Sequence, residues 1–463
     1  MLSNSAGSRD SKVVLHPQTN FRTHEREGAF VVTRGEGVRV FDENGKDYIE
    51  AMAGLWCASL GFSEGRLVEA AARQMRTLPY YHVYTHKSHM PVIELAERIL
   101  ALMPVPMSKV FFTNSGSEAN DTIVRIVWYY NNALGRPKKK KIISRMKAFH
   151  GSTVAACSLT GLPALHRDFD LPLPGFLHTD CPHYWRSAEP GESEEAYASR
   201  LADKLEQLIL AEGGAEACAA FIAEPVMGAG GVIVPPRSYF DKIQQVLKKY
   251  DMLMIADEVI CGFGRTGNMF GSQTYGIRPD IMTIAKALSS AYLPIAGVVV
   301  NDAVYQVLAD NTEKIGMFGH GYTYSAHPVS AAVALETLKI YEERDILGHV
   351  RRVAPRLQEG LRRFAGHPLV GEVRGVGLVA GVELVRDKAT KEPFPAADRV
   401  GAGLSKAAEQ HGLIVRAMGD SIGFSPPLII TEGEIDEVVA RFGKALDDTL
   451  AAVRKGEPVR LAS

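Results

Sequence analysis

The sequence has little that would tie it to a polyanion or a membrane. Its formal net charge is only −1, so no electrostatic excess favours nucleic acid or an anionic bilayer. No charged-then-apolar leader opens the chain, and no apolar run approaches the ~18 residues of a membrane span. Cysteine is scarce: Cys57, Cys157, Cys181, Cys218 and Cys261 are odd in number, scattered, and never spaced as CxxC. That pattern argues against a disulfide framework or a zinc site, so a reducing cytoplasm and no metal are expected. Walker loops and HExxH motifs are missing too. The one GxGxxG match, Gly262 to Gly267, is followed by Asn268-Met269-Phe270-Gly271. That is not the helix opening a dinucleotide fingerprint requires. Small molecules and protein partners remain as ligands.

At 463 residues the chain exceeds one compact core and predicts two domains or one large domain with an appendage. Residues 1 to about 15 read as a loose polar tail. A strand, Asn-Gly turn, strand pattern over Val38 to Ile49 reads as a hairpin. Gly54-Leu55-Trp56-Cys57 follows, where Trp56 is read as a core or interface aromatic. Helical periodicity covers residues 65–77 and 91–102. Strand Lys109 to Thr113 then leads through Asn114-Ser115-Gly116-Ser117-Glu118 into a helix reaching about Asn131. Ser115 and Glu118 have capping-box spacing. Alone, this motif is either a well-capped helix or a helix N-terminus aimed at a phosphate. The basic run Lys138 to Lys141 reads as a solvated helix end.

Further on, strand Ile142-Ile143-Ser144, helix 194–212, strand Ala219 to Ala223, helix 238–249 and strand Met252 to Ala256 alternate as βαβ units. They predict a mostly parallel sheet with a ligand site outside its carboxyl ends. Glu224, Asp257 and Lys286 stand at or just past those ends. Lys286 closes the apolar run Ile281, Met282, Ile284 and Ala285, a poor place for a hydrated cation unless it snorkels or serves as a Schiff-base nucleophile. A lysine used in that way with pyridoxal phosphate needs a carboxylate for the ring nitrogen, a phosphate anchor and a clamp on the ring face. Asp257, Ser115-Gly116-Ser117 and Phe149 can supply them. From about 328 a long helix leads into a helix-and-strand mixture, and Arg416 ends an apolar strand where it reads as a surface or ion-paired residue.

These motifs, NSGSEAN at 114–120, FHG at 149–151, AEP at 223–225, the stretch from Ile255 to Gly267 and AKAL around Lys286, stand in an order and spacing similar to those of the class III pyridoxal-phosphate-dependent aminotransferases. The resemblance spans nearly the whole chain. It implies an α/β fold, the fold type I arrangement: residues 1–60 as an N-terminal segment joining the small domain, 61–330 as a large cofactor-binding domain and 331–463 as a smaller α+β domain. It implies that Lys286 carries the cofactor and then shuttles the proton, that Asp257 holds the pyridinium proton, and that Gly116 and Ser117 bind phosphate. Val259 would pack opposite Phe149, with His150 and Glu224 near the cofactor, and Thr323 would reach the phosphate of a second subunit in a homodimer or dimer of dimers.

Leu55-Trp56-Cys57, Gly319 to Thr323, and Val415-Arg416-Ala417 with Ser425 to Leu428 resemble the pyruvate-dependent omega-transaminases. In these Trp56, Phe149 and Arg416 would line the substrate pocket, and Arg416 would grip a carboxylate. The implied reaction moves an amino group from a primary amine, diamine or omega-amino acid to pyruvate. Its alternatives are a relative using 2-oxoglutarate, or a scaffold that keeps only the fold. Phe149 departs from the family's usual Tyr, which removes a phenol near the Schiff base. The aromatics Phe21, Tyr80, Tyr81 and Tyr84 suit a pocket or a core equally.

Overall fold

The computed structural model describes residues 5–456. Its centre is a seven-stranded sheet built from β1 (Lys109–Thr113), β2 (Lys141–Arg145), β3 (Phe176–Thr179), β4 (Cys218–Ala223), β5 (Leu253–Asp257), β6 (Ile281–Ile284) and β7 (Ala296–Val300). The order across the sheet is β1-β7-β6-β5-β4-β2-β3. Every residue of β4, β6 and β7 is buried. Their unbroken apolar runs therefore belong to strands covered on both faces. Pairing is parallel from β6 through β5, β4 and β2 to β3, and only β7 runs against its neighbours. The carboxyl ends of β1, β2, β4, β5 and β6 thus share one edge, the place where the alternating pattern locates a ligand site.

Two smaller sheets flank this layer. Val32–Glu36, Arg39–Asp42 and Asp47–Glu50 form an antiparallel meander, and Leu413–Ile414 joins it in parallel through the Leu413 to Ile49 register. The hairpin register pairs Val40 with Tyr48, as the Asn-Gly turn predicts. Val370–Val376, Val379–Leu384, Ser421–Phe424 and Arg416–Met418 make the third sheet. Gly419 to Gly423 spells GxSxG, yet it spans the turn between two of these strands, not the strand-to-helix elbow a nucleophilic serine needs. Ser421 Oγ is engaged with Arg374 and Glu383.

Three expectations fail. The tail is not loose where it is described: Ala6–Val13 is a helix capped by Ser5; beyond the tail, Phe21–Glu27 forms a second helix capped by Asn20. Residues 1–4 of that tail lie outside the described residues. The basic run is not a solvated helix end. Lys139 is buried, and its Nζ donates to the carbonyls of Tyr250 at 3.1 Å and Asp251 at 2.6 Å. Lys140 Nζ donates to the Trp128 carbonyl, and Lys141 Nζ to the Glu212 backbone and carboxylate. These ammoniums satisfy carbonyls near the C-terminal ends of three helices around β2. Phe21, Tyr80, Tyr81 and Tyr84 belong neither to the core nor to the main cavity of this chain; all four are exposed.

Candidate active site

A cavity of about 1450 Å³ opens at the carboxyl edge of the sheet. It collects every site residue expected from the sequence except Thr323. Thr323 is exposed and away from the cavity, and its carbonyl accepts from the Tyr80 hydroxyl at 2.7 Å.

Asp257, the last residue of β5, is buried and held by three donors. Its Oδ2 accepts from His150 Nδ1 at 2.8 Å and Asn120 Nδ2 at 2.9 Å, and its Oδ1 from the Val259 backbone N–H at 3.1 Å. Asn120 is fixed in turn by Thr283 Oγ1 on β6 at 2.6 Å. Asn120 falls within the NSGSEAN motif, where the sequence alone assigns it no role. Its signal is a fully amide-satisfied polar residue inside helix α1 (Gly116–Ala133), where an unpaired amide would be costly.

Lys286 follows β6 in the left-handed region, φ 50. A non-glycine residue there carries strain that the surrounding fold must hold. Its Nζ has no hydrogen-bond partner among the described residues, and burial pulls its pKa below the ordinary lysine value, opposed by Asp257. A buried ammonium without a hydrogen-bond partner beside a cavity is costly unless it serves the chemistry there.

The N-terminus of α1 completes the floor. Ser115 Oγ accepts the Glu118 N–H at 3.2 Å, but Glu118 reaches Asn114 and not Ser115, so only half of the capping box forms. The Gly116 and Ser117 N–H groups stay free at the positive end of an 18-residue helix. A Cβ at Gly116 would crowd Val259 Cγ2 at 3.1 Å, so the glycine lets the helix start pack closely against Val259. Gly151, at φ +144, lets the turn after His150 approach Ser117, whose Cα would lie 3.0 Å from a Cβ at that position.

Glu224 is buried, and burial raises its pKa. Its two oxygens accept the Phe149 N–H at 3.1 Å and the Gly228 N–H at 3.0 Å, which fixes the Phe149 ring in the cavity wall. Trp56 serves both readings at once. It packs with Met52, Val232 and Ile260 in a core cluster, and it also faces the cavity. Its loop is tied by the Gly54 N–H to Glu50, whose pKa burial pushes to about 7. Arg416 opens a strand paired to Gly423 and is half-buried in the cavity wall; it has no ion-pair partner among the described residues. Burial lowers its pKa, yet a guanidinium stays charged.

The GxGxxG stretch behaves as predicted, with its following helix starting only at Gly271. Glu258 caps that helix by accepting from the Gly271 and Ser272 N–H groups at 2.9 and 2.6 Å. Taken together, an unpartnered lysine, a carboxylate with acceptor capacity left on Oδ1, free helix N–H groups and an aromatic wall fit pyridoxal phosphate.

The comparisons agree with this chemistry. The family model of class-III aminotransferases matches residues 21–446. A gamma aminobutyrate transaminase 3, chloroplastic, of Solanum lycopersicum is 56% identical over 420 residues, 90% of this chain and 81% of that protein. The omega transaminase of Pseudomonas jessenii in complex with PMP superposes with TM-score 0.96 at 59% identity, covering 98% of this chain and 100% of that one. A transaminase solved with L-ala gives TM-score 0.90 at 56% identity over 91% of this chain and 100% of that chain.

Proposed function

The chain belongs to the class-III aminotransferases, enzymes that depend on pyridoxal phosphate, and from that premise we propose that it moves an amino group from a primary amine, diamine or omega-amino acid to pyruvate, releasing an aldehyde or ketone and alanine. The observation that carries the acceptor choice is Arg416, the cavity's guanidinium without a carboxylate partner. The other one there, Arg186, is already paired with Glu383 at 2.6 Å. One free bidentate clamp suits an acceptor with one carboxylate. A dicarboxylate such as 2-oxoglutarate would need a second clamp. The neighbour solved with L-ala, the amino form of pyruvate, supports the same reading.

When bound, the cofactor supplies an electron sink for the bond at the substrate carbon. The chain's residues do the rest. In this reading Asp257 Oδ1 holds the proton on the ring nitrogen, with Asn120 and His150 keeping the carboxylate in place. Gly116 and Ser117 bind phosphate through backbone N–H groups, Phe149 and Val259 hold the ring between them, and Glu224 fixes Phe149. Lys286 Nζ, made less basic by burial, takes a proton from the substrate carbon and returns it on the far side of the transfer. Arg416 binds a carboxylate and withdraws for an apolar amine, and Trp56 limits the size of the donor. Thr323 acts on the phosphate of a second subunit, so the assembly is a homodimer or dimer of dimers.

A second reading of the donor, 4-aminobutyrate, is supported by relatives named gamma aminobutyrate transaminases at 54–56% identity. It is compatible with the first, because Arg416 can hold that donor's carboxylate in one half-reaction and pyruvate's in the other. The test supplies one shared donor with either pyruvate or 2-oxoglutarate and measures alanine against glutamate. Alanine is expected to dominate; glutamate as the main product would overturn the acceptor assignment.

A further inference from the structure

Among the described residues, two clusters of three imidazole and carboxylate groups stand outside the set that would hold the cofactor, although Glu383 of the first also lines the cavity. In the first, His183 meets Glu372 at 2.8 Å and Glu383 at 3.8 Å. Arg374 contacts both carboxylates at 2.6 and 2.7 Å, and Arg186 contacts Glu383 at 2.6 Å. Two guanidiniums already balance those charges, so this is an ion-pair network with no room for another cation. The second cluster is different. His16 Nε2 and His24 Nε2 both point at one oxygen, Asp10 Oδ2, at 2.7 and 3.0 Å, with ring centroids 4.1 Å apart. No ammonium or guanidinium pairs with Asp10 among the described residues.

We propose that Asp10, His16 and His24 form a binding site for a divalent transition-metal ion of the zinc type, and that the ion clasps an N-terminal strap over the cavity mouth. The three donor atoms lie within 4.8 Å of one another. Tetrahedral zinc, with bonds near 2.0–2.1 Å, spaces its ligand atoms about 3.3 Å apart. The two N···O contacts, at 2.7 and 3.0 Å, therefore need to open by roughly 0.6 and 0.3 Å. Two imidazole nitrogens and one carboxylate select a zinc-like ion over calcium or magnesium, which prefer all-oxygen shells. To bind, each ring must present a bare Nε2 lone pair: the hydrogen that Nε2 now directs at Oδ2 moves to Nδ1 in a neutral ring, or is released to solvent from a doubly protonated one, and the metal takes its place. The side chains are 23%, 29% and 11% exposed, so an ion can reach them and solvent can fill the remaining coordination position.

The position of the cluster gives the ion its consequence. Asp10 lies in the helix Ala6–Val13 and His24 in Phe21–Glu27, of 8 and 7 residues. Isolated helices shorter than about 12–15 residues are marginal in water, so these two depend on contacts for their order. Between them, immediately after His16, Pro17 and Gln18 line the active-site cavity. The second helix is anchored to the body by Glu27 and Lys406 at 2.5 Å. The Asp10 cluster is what ties the first helix to it. A metal at that junction closes the Pro17–Gln18 loop as a strap across the cavity.

The test uses the full chain loaded with its cofactor, stripped of metal by a chelator and dialysed. Zinc titration followed by calorimetry is expected to show one saturable ion per chain. Affinity should fall by about tenfold or more in His24→Ala and in Asp10→Asn, since each removes one of three ligands. Hydrogen exchange over residues 6–27 should slow on adding zinc to the wild type and stay unchanged in both variants. Circular dichroism and the bound cofactor's absorption check that the variants are folded. The proposal is overturned by absent saturable uptake, or by uptake that both variants retain. Zinc that binds at the cluster but leaves exchange in residues 6–27 unaltered removes the clasp.

Discussion

His150 Nδ1 donates to Asp257 Oδ2 at 2.8 Å, while its Nε2 is buried without a partner among the described residues. The contact fixes the ring proton on Nδ1 and aims the imidazole at the carboxylate that faces the cofactor site. A hydrogen bond to a charged group contributes about 1.5–3 kcal/mol. His150→Ala should therefore weaken cofactor retention about 10- to 100-fold, read as the cofactor concentration needed to restore half-maximal activity. Unaltered retention would show that Asn120 and Val259 suffice to hold Asp257.

Lys286 combines a lowered pKa with an absence of partners. Because the free amine is the base, kcat should rise with pH through a midpoint below 10.5, the ordinary lysine value. Lys286→Ala should lose that rising limb together with about 10⁴-fold of turnover, with its circular dichroism and melting profile preserved. Substantial transamination by this variant would sink the assignment of the base.

How much of this was legible in the chain follows from local physics. Strands buried on both faces announce themselves as apolar runs, so β4, β5 and β6, and with them Glu224, Asp257 and Lys286, could be placed from sequence. Lys139 could not. A run of lysines reads as solvated because its partners, the carbonyls of Tyr250 and Asp251, lie more than 110 positions away. The strap of residues 6–27 was hidden for another reason: helices of two turns carry too little periodicity to stand out. Asn120 and Glu50 hold the site by contacts that only the folded chain creates. Trp56 looked like a choice between core and pocket, whereas a large indole can fill both at once.

Glu50 links the Trp56 loop to pH. Burial raises its pKa from 4.5 to about 7, so the folded chain binds this proton more tightly than the unfolded one. The sign follows: its stabilising contribution is present below pH 4.5 and is lost as pH rises through about 7. Glu50→Gln, which stays neutral, should melt at a temperature that gains on the wild type as pH is raised across that window. A pH-independent difference in melting temperature would show that Glu50 does not titrate there.

Arg416 faces the cavity with no carboxylate ion-paired to it among the described residues. Its loss should be felt by carboxylates only. Arg416→Ala is expected to lower kcat/KM for pyruvate by about 100-fold, the scale of a charge-assisted bidentate contact. For a primary amine without a carboxylate, the half-reaction measured by single turnover should change by no more than a few-fold. Equal losses for both substrates would mean that Arg416 supports the pocket's shape and does not bind an acid.

Phe149 stands where the family resemblance of the FHG motif implies a tyrosine, and its backbone N–H is fixed by Glu224 at 3.1 Å. That tether acts on the main chain, so Phe149→Tyr should keep the ring in the same plane and add only a hydroxyl. The phenol would give Lys286 Nζ, which has no partner of its own, a group to hold it in line with the substrate carbon. The expected result is a rise in kcat of about 2- to 10-fold, the worth of one hydrogen bond. A smaller isotope effect from deuterium on that carbon should accompany it, since proton transfer would then limit turnover less. Unchanged turnover together with an unchanged range of amines would remove Phe149 as a determinant of either, and would leave donor choice to Trp56 and Arg416.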